Sequence, residues 1–133
     1  MIEVLVAVLI LAIGLLGVAA LQAAALRNSQ SSYERSEAVI QSYSMLDMMR
    51  ANVDAARAGS YNVGWTCTVP AAGTSRIAAD RRAWLQNVQA VMGETACGRI
   101  ACTTTVCTVG VRWDDSRGTQ GSATLAIETS SQL

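Results

Sequence analysis

Residues 4–26 read VLVAVLILAIGLLGVAALQAAAL, a run with no charge and a single amide, Gln22. Apolar all round, the run predicts a helix of roughly 34 Å, enough to cross a bilayer core of about 30 Å. A soluble helix with no polar face would need a larger protein around it than 133 residues provide. Beyond the run, no Gly or Pro intervenes before Gly59. Val39, Tyr43, Leu46, Met49, Val53 and Ala56 recur at spacings of four and three, one face of a helix. Arg27, Glu34, Glu37, Gln41, Asp47 and Arg50 fall on the other side and read as a solvated face. Asp47–Arg50 and Asp54–Arg57 fit i,i+3 neighbours, and Met45, Met48 and Met49 read as core filler. The pattern therefore predicts one helix over residues 1–57, about 85 Å long. Its first half belongs in lipid or against other helices, and its second half lies on a globular head.

The head begins at Gly59. Residues 59–76 read as a loop, rich in Gly, Ser, Asn and Thr and holding the only proline, Pro70. Asp80 offers an N-cap for a short helix over residues 81–92, with Trp84, Leu85, Val88, Val91 and Met92 at helical spacing and Gly93 at its end. The period then changes to two. Cys107, Val109, Val111 and Trp113 alternate with polar residues, as do Ala123, Leu125 and Ile127, and Ile100 and Cys102 begin a weaker run. Three strands are expected, over residues 98–103, 106–114 and 122–129, joined as an antiparallel meander. The fold class is α+β, with three parts: residues 1–26, residues 27–58 and a head over residues 59–133. Trp84, Val109, Val111 and Trp113 are the expected head core.

Composition narrows the chemistry. Ten arginines balance ten acidic residues, hydrophobic residues make up 51%, and charged ones 15%. That is too apolar for a disordered chain, and it lacks the basic excess of a nucleic-acid binder. With no His, neither a Ser–His nor a Cys–His pair can form. Asp114 and Asp115 are adjacent, so in a strand they point to opposite faces; they read as a strand end. No phosphate loop is present. The sequence therefore points to a non-enzymatic protein with no catalytic residue, metal or cofactor.

Cys67, Cys97, Cys102 and Cys107 all lie in the head. Their spacing does not match a four-thiolate zinc site, and two disulfides in an oxidising compartment are expected. A head this small gains from stapling. Cys102 and Cys107 share strand parity across a short loop, which would leave Cys67 for Cys97. Cys97–Cys102 with Cys67–Cys107 is the rival pairing. Glu3 is the one charge before the apolar run. An acid there argues against a cleavable signal peptide, whose start is basic. A carboxylate at a membrane interface is either hydrated among headgroups or paired with a cation.

MIEVLVAVLILAIGLLGVAALQ resembles the N-terminus of type IV prepilin-like proteins, most closely the PilV-type minor pilins. The Asp80…Trp84 helix and the V-x-V-x-W strand ending in Asp114 are similar to heads of that type. The resemblance implies a type IV pilin-like fold and processing by a prepilin peptidase, with N-methylation of the new terminus. Glu3 would match the family's fifth mature residue, so the chain would begin two residues into the mature form. Its implied role is to neutralise the N-terminal ammonium of a neighbouring subunit, which would select register more than add stability. The implied function is a structural subunit of a minor-pilin complex that primes pilus assembly at or near the tip. Its partners would be other minor pilins and the major pilin, met through the N-terminal helix. The inner membrane would hold the subunit before assembly, with its head in the periplasm. A minor pseudopilin of type II secretion shares the same N-terminal signal. In a third reading, a signal-anchored periplasmic binding or adhesin module, Glu3 would be replaceable.

Overall fold

The structure, a computed structural model, describes residues 1–133. Helix α1 runs from Ile2 to Arg50 without interruption, 49 residues or about 74 Å. It ends earlier than the apolar spacing suggests. Ala51 closes its last turn, and Asn52 (φ −142°) leaves the helical region. The side chain of Asn52 donates instead to the Tyr61 hydroxyl, 3.1 Å away. A separate short helix, α2 (Val53–Arg57), follows and seats Ala56 in the core. Gly59, at φ +73°, then turns the chain, a conformation open mainly to glycine.

The stretch expected to be loop holds a strand, β1 (Val63–Thr66). It is only four residues long, and its pairing with β2 shifts register between Val63 and Thr66, so Val63 faces the core and Trp65 the outer side and no period of two can show. Helix α3 spans Arg76–Met92 and starts five residues before the expected position. Ser75, not Asp80, is its N-cap: Ser75 Oγ accepts from the Ala78 N–H at 3.2 Å. Gly93 ends the helix. Strands β2 (Cys97–Cys102), β3 (Val106–Trp113) and β4 (Leu125–Gln132) follow, and the sheet is an antiparallel meander in the order β1-β2-β3-β4. The last strand sits three residues beyond its expected place. Thr129 and Ser131 continue the inward positions after Leu125 and Ile127, so the apolar alternation stops before the strand does.

One face of the sheet carries the core. Ile100, Val109, Val111 and Trp113 point inward, covered by α1 and α3. Helix α3 contributes Trp84, Leu85, Val88 and Met92, while Val91 points to solvent. Helix α1 contributes Ala38, Ser42, Met45, Leu46 and Met49. Its buried stripe is thus rotated from the expected one: Tyr43 is exposed, and Val39 is half-buried. Small Ala38 and Ser42 bring α1 close to α3. There Trp84 Nε1 donates to the Gln41 carbonyl at 3.0 Å, and Ser42 Oγ donates to the Ala38 carbonyl.

The disulfides lie on opposite faces of the sheet. Cys102–Cys107 closes the β2–β3 hairpin on the core side, with Cys102 Sγ 3.7 Å from Met49 Sδ. Cys67–Cys97 ties the segment after β1 to β2 on the outer side, under the Arg112 guanidinium. Arg112 also stacks over Trp65, 5.0 Å from the ring centroid. Asp47 and Arg50 form the expected ion pair. Asp54 and Arg57 do not: Arg57 turns to the carbonyl of Leu133.

Candidate functional site

Two features of α1 can serve a function: the bare apolar half, and the junction where the head grips the helix. Residues 2–23 are all exposed, and the large side chains among them, from Ile2 to Leu21, keep half to three-quarters of their area open. The apolar window has a mean hydropathy of 3.1, and none of it is buried within the chain. Soluble proteins rarely leave so large a continuous apolar surface uncovered. The helix is long and apolar enough to cross a membrane, so a single N-terminal anchor carrying a head suits this structure. The disulfides suit an oxidising compartment such as the periplasm.

Glu3 stands in the first turn of α1, exposed, where the helix dipole favours an anion. The chain supplies no cation for it. All five ion pairs lie beyond residue 33.

The junction lies where the solvated side of α1 was expected. Glu34 is buried and accepts from Arg117 at 3.3 Å. Asp115, 1% exposed, accepts from Ser31 Oγ at 2.9 Å and from Arg35 at 3.3 Å. Thr119 donates to Asn28 Oδ1. Asn28, Ser31 and Arg35 follow an i, i+3, i+7 row along one helix face. The segment between β3 and β4, residues 114–124, folds back onto that row. Its entry is shaped by Asp114, whose carboxylate accepts from Ser116. The Ser116 hydroxyl and backbone N–H hold the Asp114 carboxyl below the usual carboxylate range. The acidic pair is therefore divided: Asp114 faces water and organises the turn, while Asp115 is buried against α1. The sequence gives one signal for this, adjacent acids at a strand end with one forced inward. It carried no register with Ser31 and Arg35, which lie 84 and 80 residues away.

Trp84, Val109, Val111 and Trp113 come together in the core, each at most 2% exposed. The four cysteines form the pairs Cys67–Cys97 and Cys102–Cys107. Compared with protein-family models, characterised proteins and solved structures, the chain matches none. Its architecture, a long N-terminal apolar helix laid on a small antiparallel sheet, is compatible with a pilin-like fold.

Past the apolar half, Ile40, Tyr43 and Met48 line an outward cleft of about 560 Å³ on α1, opposite the core. Exposed Tyr33 lies two turns below Ile40 on the same side. The outer face of α1 is thus apolar at intervals well into the head.

Proposed function

We propose that this protein is a minor pilin, a non-enzymatic structural subunit that joins other minor pilins to prime type IV pilus assembly at or near the tip. The observation that carries this reading is one unbroken helix. Its first half is apolar on every side and unpartnered, its second half is the spine of a stapled head, and Glu3 stands at its start. Such a helix suits lipid and equally suits a bundle of other helices, the two environments a pilus subunit would meet in succession. In the inner membrane the apolar half would lie in hydrocarbon, with prepilin peptidase acting during processing. In the assembled pilus it would pack among the helices of sibling subunits and the major pilin. Glu3 would there meet the N-terminal ammonium of a neighbour, because an unpaired carboxylate in such a core is heavily penalised.

The test is a clean deletion with surface pili counted by electron microscopy and secreted enzymes assayed in the same strain, complemented by wild type or Glu3→Ala. We expect pili to be lost with secretion intact. Glu3→Ala should be retained in the membrane yet fail to restore pilus number. Secretion lost with pili intact would replace this reading with a type II secretion pseudopilin. Both surviving would favour an anchored binding module.

A further inference from the structure

The β3–β4 segment reaches down to the level at which the apolar run stops. Thr119 bonds to Asn28, two residues past Leu26, which is about 3 Å along the helix axis. Beside this contact a cleft of about 360 Å³ opens between α1 and the segment. Asn28, Ser31, Ser32 and Arg35 line it from the helix, with Thr119 and Gln120 opposite. No hydrophobic side chain and no carboxylate is among the lining residues.

Part of the donor set is left unused. The backbone N–H groups of Thr119 and Gln120 meet no acceptor within the protein. Arg35 gives one nitrogen to Asp115 from behind and remains 51% exposed. That single contact tethers the guanidinium beside the cleft and leaves its other N–H groups without a partner in the protein. Consecutive free amides, the Ser32 hydroxyl and a half-exposed guanidinium are the chemistry that holds phosphate oxygens, while the Ser31 and Thr119 hydroxyls are spent on Asp115 and Asn28. Depth then selects the source. The headgroup layer is about 5–7 Å thick on each side of the hydrocarbon core. Asn28 to Ser31 stand about 3–8 Å beyond Leu26, with Arg27 at the same level.

We infer that this cleft binds the phosphate of an anionic lipid headgroup while the protein is in the membrane. The inference rests on the reading of residues 4–26 as a membrane span. The lipid would bridge α1 and the β3–β4 segment and so stiffen the head against the helix at the bilayer surface.

The full chain, reconstituted into nanodiscs of phosphatidylcholine alone or with phosphatidylglycerol, provides the test. Phosphatidylglycerol should raise the melting temperature of the head by about 4 °C or more and slow amide exchange at Thr119 and Gln120. Ser32→Glu and Gln120→Glu change exposed lining residues without internal partners. They should melt like wild type in phosphatidylcholine and lose the phosphatidylglycerol effect. A shift that persists in these variants would place the effect elsewhere and overturn the proposal. So would no shift with the chain still embedded. The same gain from inorganic phosphate in phosphatidylcholine discs would mark a free-anion site instead. A chain that never enters discs of either composition would refute the anchor itself, a separate failure.

Discussion

An alanine methyl at Gly98 would stand 2.5 Å from the six-membered ring of Trp84 and 3.4 Å from Leu85. Trp84 cannot retreat, because its ring is buried and its Nε1 is held by the Gln41 carbonyl. Gly98→Ala should therefore destabilise the head by about 1–3 kcal/mol, as overpacking does, measured by urea unfolding. Gly110→Ala is the contrasting case. Its nearest neighbours are Trp65, at 2.9 Å, and the Glu128 side chain, both on the outer face with room to move. It should cost clearly less, and equal losses would contradict this account. Tyr61 offers a second residue-level test. Its buried hydroxyl donates to Asp80 at 2.7 Å. Burial first, and then the Asp80 carboxylate, raise the phenol above its ordinary value. The unfolded chain releases that proton from about pH 10. The stability due to Tyr61 is thus complete below pH 10 and lost as pH rises toward the raised native value. Tyr61→Phe should flatten the fall in stability above pH 10, as followed by circular dichroism.

Among the elements, the two disulfides differ in the length of chain they close. Cys67–Cys97 spans 30 residues and Cys102–Cys107 spans five. Chain-entropy arguments give about 3–4 kcal/mol for the longer loop and about 2 kcal/mol for the shorter. The paired variant Cys67→Ala/Cys97→Ala should lose more stability in urea than Cys102→Ala/Cys107→Ala, and the reverse order would show that strain or packing decides instead. The elements also differ in how far the sequence revealed them. The apolar run made α1 legible by its length, and the alternation from Cys107 to Trp113 made β3 legible because it holds over four successive inward positions. β1 has four residues and a register shift within them, and was invisible. The end of α1 was hidden because Asn52 breaks the helix by turning toward Tyr61, a tertiary contact. The start of α3 was ambiguous because Ser75 and Asp80 are both good caps, and Asp80 was claimed by Tyr61. The junction was the least legible. Glu34 reads as a surface charge until Arg117 arrives from the far end of the chain.

For the whole molecule, the head and the apolar half are separable in their demands on solvent. Deleting residues 1–26 should leave a monomer in the soluble fraction, while the full chain sediments with membranes; a fragment that stays membrane-bound would contradict the span. What joins the two parts is a single helix with no unwound turn between Ile2 and Arg50. It therefore acts as a drive shaft. Whatever neighbours grip its apolar end also set the compass bearing of the head, since each residue along it carries about 100° of rotation and 1.5 Å of rise. One residue added after Leu26 would leave every contact within the head intact. It would nevertheless aim the sheet a quarter-turn and more away from its former neighbours.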